Sequence, residues 1–150
     1  MTSHFDDLII RTVCRLLIPF IQLFGLYVIA HGHSSPGGGF QGGVILGASF
    51  ILLSISHGVE EMKKRMKIKT ILLFSSLGVI IYAGIGFVSL FLGGKYLDYG
   101  ILHLLLPVDP VAARSLGILG VEVGVGITVM AVMVSIYLNL ALEEREKPKP

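Results

Sequence analysis

The sequence predicts an all-α integral membrane protein with four transmembrane helices. Of its 150 residues, 53% are hydrophobic, and the mean hydropathy is +0.82. The apolar residues collect in four stretches, each about as long as the roughly 20 residues that a helix needs to cross the hydrocarbon core. These stretches lie at about residues 8–30, 37–57, 70–92 and 116–142. We therefore expect a four-helix membrane domain over residues 1–142 and a charged cytoplasmic tail over residues 143–150.

The distribution of basic residues sets the expected orientation. Arg11 and Arg15 lie near the start of the first span, five basic residues lie within 63–69 between the second and third spans, and three lie in the tail. Only Lys95 and Arg114 remain for the other side of the membrane. Because cytoplasmic segments are enriched in lysine and arginine, we expect both termini inside the cell. The segment that precedes the second span then lies outside.

The first span carries two arginines and a proline among its apolar residues. Arg11 and Arg15 are four residues apart and share one helical face, and their long stems let the charged ends reach the headgroups. Pro19 lies further along the span and is expected to bend the helix.

The two connections that carry most of the charged residues give further expectations. In the inner connection, Glu60–Lys64 and Glu61–Arg65 have the favourable spacing for ion pairs on a helix, which predicts that the second span continues as a helix into the cytoplasm. In the outer connection, Asp109 followed by proline is typical of a helix start. Two interpretations stay open: the fourth helix begins at Pro110, or a separate short interfacial helix lies there.

The segment from His31 to Gly43 is the most unusual part of the chain, because five glycines fall within residues 37–43. Each glycine costs about 1 kcal/mol relative to alanine in a helix interior, so the run indicates that the backbone approaches something closely. Ser35 and Pro36 are typical of an N-cap and a first helical turn. The following amides would then lie at the positive end of the helix. A phosphate-binding loop is disfavoured because the run lacks the lysine and hydroxyl residue that end such loops.

Small residues recur at helical spacing on two spans. Gly39, Gly43 and Gly47 form one row on the second span, and Gly120 and Gly124 begin another on the fourth. Such rows let membrane helices approach closely. Packing within this chain and contact with a partner subunit explain the rows equally well.

Glu122 is the only carboxylate within the four apolar runs. Because a charge inside the membrane is costly, such a residue is a candidate for an ion path. Counting about 20 residues back from Glu143 instead places Glu122 at the outer boundary of the membrane. There it could be an interfacial carboxylate that pairs with Arg114 or with a base on a partner.

The remaining polar residues do not indicate an enzyme. His31 and His33 flank one glycine without a third ligand nearby, so hydrogen bonding or packing explains them better than a metal site. No nucleophile motif, zinc-protease motif or paired-cysteine motif occurs, and Cys14 is the only cysteine. We expect neither a metal nor a cofactor.

The residues from His33 to Gly43 read His-Ser-Ser-Pro-Gly-Gly-Gly-Phe-Gln-Gly-Gly. This run resembles the signature of the MnhB family, the B subunits of Mrp-type multisubunit sodium/proton antiporters. The four spans, the basic inner loop and the glycine-rich last span around Glu122 extend the resemblance along the chain. Similar subunits occur in the membrane arms of energy-converting hydrogenases. The resemblance implies that Glu122 is an ion-path candidate. It also implies a structural role for the signature positions His33, Pro36, Gly37, Gly38, Gly39, Phe40, Gly42 and Gly43.

The resemblance implies an accessory subunit of a multisubunit sodium/proton antiporter in a prokaryotic cell membrane. Its partners would be other hydrophobic subunits of the same complex and the lipid bilayer, with no nucleic acid. Two alternatives stay open: a membrane-arm subunit of a redox-driven complex such as a membrane-bound hydrogenase, and a self-sufficient small ion carrier.

Overall fold

Helices make up most of the chain. The computed structural model describes residues 2–34 and 36–146, with side chains for residues 8–34 and 36–143. The α-helices are α1 (Thr2–Ala30), α2 (Gly39–His57), α3 (Val59–Arg65), α4 (Ile68–Phe91) and α5 (Pro110–Glu146), and a 3-10 helix covers Tyr99–Leu104. Within the described residues there is no β-strand. Four segments are long and apolar enough to cross a membrane, namely Leu8–Ala30, Gly39–His57, Ile68–Phe91 and Pro110–Glu143. The predictions of an all-α fold and of four membrane-spanning helices are therefore confirmed.

The four long helices pack in the order α1, α2, α5, α4. The helices α1 and α2 are antiparallel, because Gly25 of α1 meets Leu46 of α2 while Ile29 meets Gly42. The helices α4 and α5 are also antiparallel. By contrast, α2 and α5 are parallel. Both of them therefore begin on the same side of the bundle, and that side holds the glycine-rich segment.

Glycines let the two central helices approach closely. A Cβ on Gly43 of α2 would lie 2.6 Å from the carbonyl oxygen of Gly126 on α5, and a Cβ on Gly47 would lie 3.2 Å from the Cβ of Met133. On another face of α5, a Cβ on Gly124 would lie 2.9 Å from the carbonyl oxygen of Gly78 on α4. Both glycine rows thus lie against helices of the same chain.

The second span does not continue into the inner connection, and the prediction that it would is wrong. Helix α2 ends at His57, and Gly58 breaks it with φ 95° and ψ 153°, a conformation that is essentially restricted to glycine. The separate helix α3 then turns its apolar side toward the bundle, where Met62 is fully buried. It packs in a core cluster with Ile71 and Val134.

The outer face of α3 carries ion pairs at its surface. Glu61 accepts from Lys64 at 3.4 Å and lies 4.0 Å from Arg65, while Lys63 lies 3.6 Å from Glu60. The expected Glu61–Arg65 pair is therefore present. The Coulomb energy of such exposed pairs is small, so the buried methionines, not the charges, attach α3 to the bundle.

Helix α5 begins at Pro110 and runs without interruption to Glu146. The Asp109 carboxylate accepts a hydrogen bond from the Ala112 amide at 3.4 Å, which is the capping contact that the sequence predicts. A short helix also exists, but it is the 3-10 helix before Pro110, and it packs beside Gly117. Burial raises the pKa of Tyr99 in that helix, and the nearby phenols of Tyr82 and Tyr96 raise it further.

Candidate functional site

The chain makes a sharp turn immediately before α2, and glycine is required there. Gly37 has φ 139°, and Gly38, the N-cap of α2, has φ 85° and ψ −159°. Residues with a side chain rarely adopt these values. The first helical hydrogen bond runs from the Gly42 amide to the Gly38 carbonyl at 3.0 Å.

This turn corrects the expected start of the second helix. Pro36 lies in a bend before the helix, so the prediction that it forms the first helical turn is wrong. The physical reason is that the positive φ angles of Gly37 and Gly38 interrupt any helix between Pro36 and Gly39. The predicted N-cap Ser35 lies outside the described residues.

The turn closes over the side chain of Glu122. A Cβ on Gly38 would lie 2.6 Å from Oε1 of Glu122 and 3.0 Å from its Cδ, and a Cβ on Gly32 would overlap Oε2. A Cβ on Gly39 would overlap the backbone carbonyl of Glu122. Gly32, Gly38 and Gly39 therefore form a glycine pocket around Glu122. A residue with a side chain at any of these three positions would collide with Glu122.

The position of Glu122 follows from the contact between α2 and α5. Gly39 touches Glu122, and one turn later Gly43 touches Gly126. Because the two helices are parallel and in contact along these residues, the Glu122 carboxylate lies level with the N-terminal end of α2. The backbone N–H groups of residues 39–41 lie at that end and donate no hydrogen bond within the helix. It is also the positive end of the helix dipole.

The carboxylate of Glu122 is enclosed, but one of its oxygens lacks a hydrogen-bond partner among the described residues. Glu122 is half-buried, and its Oε2 atom is buried without a hydrogen-bond partner among the described residues. The His33 imidazole is close enough to interact electrostatically with the carboxylate. Since a buried polar group without a hydrogen bond is costly, this oxygen is suited to receive a proton, a cation or a donor from elsewhere.

Arg114 is not the partner of Glu122. Its guanidinium lies against the 3-10 helix, where a Cβ on Gly100 would be 3.1 Å from it. Arg114 also precedes Glu122 by two helical turns on α5, about 12 Å along the axis. The alternative in which these two residues pair within the chain is therefore not supported by the ion pairs described.

Other residues considered in the sequence occupy different surroundings. His31 stacks on Tyr27 with ring centroids 4.1 Å apart, and its Nδ1 lies 3.0 Å from the Tyr27 carbonyl. Phe40 is 63% exposed, so it packs little against the rest of this chain. Gly42 points toward α1, where its Cβ would lie 2.7 Å from the carbonyl oxygen of Gly25. On the fourth span, a Cβ on Gly120 would lie 2.7 Å from Ile85.

Two residues of the site were not singled out from the sequence. Gly32 touches the carboxylate, and Gly126 touches Gly43, yet neither belonged to the rows considered. The spacing of Gly126, four residues after Glu122, could have indicated a second small-residue face on α5. Nothing local could have indicated Gly32, because its role depends on a distant helix.

Comparisons with known proteins show the family to which this sequence is similar. Residues 9–135 match a family described as a domain related to the MnhB subunit of Na+/H+ antiporter. Proteins that bear the name antiporter subunit mnhB2 in Staphylococcus aureus strains Newman, JH1 and USA300 are each 34% identical over 131 residues. Each match covers 83% of this chain and 92% of the relative. The matched family region includes the glycine pocket and Glu122.

Proposed function

Since this chain belongs to the MnhB family, we propose that it is an accessory membrane subunit of a multisubunit sodium/proton antiporter in a prokaryotic cell membrane. Both the family description and the names of the relatives refer to an antiporter. They favour this function over a subunit of a redox-driven complex and over a self-sufficient ion carrier.

The enclosure of the Glu122 carboxylate by glycines supports a functional role for this residue. Helix α2 has 19 residues and is therefore about 29 Å long, close to the thickness of the hydrocarbon core. Glu122 lies level with the first residue of α2. It also lies beside the middle of α4, because a Cβ on Gly124 would meet the Tyr82 amide nitrogen within Ile68–Phe91. We infer that the carboxylate binds a proton or a sodium ion on a path that other subunits complete.

The surface of the bundle supports a role as one subunit among several. Only 17% of the apolar window of α1 and of α4 is buried, against 44% for α2. These two helices flank the bundle, and their outward faces are free for lipid or for neighbouring subunits. Phe40 is exposed beside the glycine pocket, where its ring is available to pack against such a neighbour.

The charge distribution supports an orientation with both termini in the cytoplasm. The start of α1, the end of α2, the start of α4 and the end of α5 lie at one end of the bundle, and the basic connection lies there too. The positive-inside rule then places the glycine pocket on the outer side.

Labelling of single cysteines tests this orientation. In a Cys14→Ser background, a cysteine at Ser34 should react with a membrane-impermeant maleimide added to whole cells, while a cysteine at Lys64 should react only after permeabilisation. Both positions are exposed. Labelling of Ser34 only from the cytoplasmic side would reverse the proposed orientation.

Transport by the intact complex tests the role of Glu122. The variant Glu122→Gln keeps the shape of the side chain and removes its charge, and we expect it to lose most sodium/proton exchange in inverted membrane vesicles. The matched control is Glu143→Gln, which removes a carboxylate from the far end of the same helix and should keep normal exchange. Copurification of the other subunits must be equal in both variants. Full exchange by an assembled Glu122→Gln complex would exclude the ion-path role.

A further inference from the structure

A small polar cavity lies at the end of the bundle opposite the glycine pocket. It has a volume of about 60 Å³ and lies between α1, the last turn of α2 and the end of α3. Ile18, Pro19 and Leu53 form its apolar lining, and each of its polar lining residues carries a hydrogen-bond donor. The lining residues are Arg15, Ile18, Pro19, Gln22, Leu53, His57 and Arg65.

Two arginines from different helices meet at this cavity. Arg15 comes from α1 and Arg65 from α3, and none of the described lining residues is acidic. Among the residues whose side chains are described, Glu61 competes for this arginine, because its Oε1 lies 4.0 Å from Nε of Arg65. That pair is largely exposed, and a guanidinium has five N–H donors, so the other donors of Arg65 remain for a ligand.

The depth of the cavity matches the level of lipid headgroups. Because α1 and α2 are antiparallel, Ile18 lies beside Leu53, and Arg15 lies level with His57 at the end of α2. The end of a membrane-length helix marks the boundary of the hydrocarbon. Ile18 and Leu53 lie about one helical turn deeper in the membrane than Arg15 and His57, so the apolar lining is on the hydrocarbon side of the Arg15 level. A phosphate with attached acyl chains would fit this order of polar and apolar residues.

Pro19 also lines the cavity and removes one hydrogen-bond donor from α1. Pro19 has no amide hydrogen, so the carbonyl of Arg15 one turn earlier lacks its helical donor. A ligand with an anionic phosphate and a nearby hydroxyl would satisfy both the guanidinium donors and this free acceptor. Arginine is the residue best matched to phosphate oxygens, and basic pockets between membrane helices bind anionic headgroups.

We propose that the cavity between Arg15 and Arg65 binds the phosphodiester of an anionic, hydroxyl-bearing phospholipid such as a phosphatidylglycerol. The bound lipid joins α1 to α3 and thereby holds the inner end of the bundle together.

Binding of a short-chain lipid to the purified full-length chain in a neutral detergent tests this site. The probe is dioctanoyl phosphatidylglycerol, followed by native mass spectrometry, with dioctanoyl phosphatidylcholine and inorganic phosphate as separate arms. We expect the glycerol lipid to bind at least about tenfold more tightly than the choline lipid, and inorganic phosphate not to displace it at equal concentration. Equal binding of the two lipids, or displacement by free phosphate, would overturn the proposal.

Paired charge removals locate the site. Each basic residue near an anionic lipid contributes about fivefold to binding, so the double variant Arg15→Gln/Arg65→Gln should bind the glycerol lipid about 25-fold more weakly. The matched control, Arg11→Gln/Lys64→Gln, removes the same charge from the same two helices, but its residues do not line the cavity. It should change binding less than about twofold. Equal weakening in both double variants would show general surface attraction and refute the site.

A conservative substitution keeps the test decisive if the double variant does not fold. Arg15→Lys retains the positive charge but loses the planar set of donors. We expect it to remain monodisperse on gel filtration and to bind the glycerol lipid several-fold more weakly than the wild-type chain. Unchanged binding in this variant would count against a specific phosphate contact at Arg15.

Discussion

A methyl group at Gly43 has no room between α2 and α5. In Gly43→Ala the new Cβ would lie 2.6 Å from the carbonyl oxygen and 3.0 Å from the Cα of Gly126. Ordinary contact begins at 3.4 Å, so the two helices must separate by about 0.8 Å. Both neighbours are backbone atoms, which cannot rotate away as a side chain would.

Gly84→Ala is the matched control for this prediction. Gly84 lies within the membrane span of α4, and a Cβ there would meet nothing within 4 Å. Both variants gain the same helix-forming advantage of alanine over glycine, about 1 kcal/mol. The difference between them therefore isolates the overpacking cost, which is about 1–3 kcal/mol for a methyl group inserted into a tight interior.

The assay is the temperature at which half of the full-length chain remains monodisperse on gel filtration after heating. For a chain of this size 1 kcal/mol corresponds to about 2–4 °C, so Gly43→Ala should melt about 2–12 °C below Gly84→Ala. If the two variants melt within about 1 °C of each other, the described contact between α2 and α5 is wrong.

Three further substitutions test the inner end of the bundle by the same melting assay. In Gly58→Ala the new Cβ meets no atom within 4 Å, so only the strained backbone destabilises the variant, by about 1–3 kcal/mol. An unchanged melting temperature would indicate that α2 and α3 are not separated as described. Met62→Ala removes a fully buried side chain and should cost about 2–5 kcal/mol, whereas a neutral result would mean that α3 does not cap the core. Glu61→Gln breaks surface pairs and should change stability by less than about 1 kcal/mol; a larger loss would give the ion pairs a structural role that their exposure does not support.

The fold class was predictable because four apolar stretches of membrane length leave few alternatives. The sequence also carried the family assignment, since the run from His33 to Gly43 resembles the MnhB signature and the family match over residues 9–135 confirms it. The capping role of Asp109 was predictable for a similar reason: the interaction is local, and an aspartate before a proline has few other uses.

The two incorrect expectations both placed helix where glycine breaks it. Favourable ion-pair spacing predicted that α2 continues past His57, but Gly58 has a backbone conformation that no helix contains. Pro36 was expected in the first helical turn, but Gly37 and Gly38 with positive φ angles follow it. A glycine permits both helical and non-helical conformations, so spacing rules alone could not decide between them.

The glycine pocket could not be predicted because it depends on tertiary register. Glu122 and Gly38 are far apart in sequence, and they meet only because α2 and α5 are parallel and pack through Gly43 and Gly126. The sequence left open whether the glycine rows faced this chain or a partner. In the structure the row on α2 contacts α5, and the row on α5 contacts α4 of the same chain.

A double-mutant cycle between Gly38→Ala and Glu122→Ala measures whether the glycine pocket encloses the Glu122 carboxylate. All three nearest atoms to a Cβ on Gly38 belong to the Glu122 side chain, and the backbone strain at Gly38 is common to both backgrounds. We predict that Gly38→Ala destabilises the chain by at least about 1 kcal/mol more when Glu122 is present than when alanine replaces it. Additive effects within about 0.5 kcal/mol would contradict the enclosure of Glu122 by the glycine pocket.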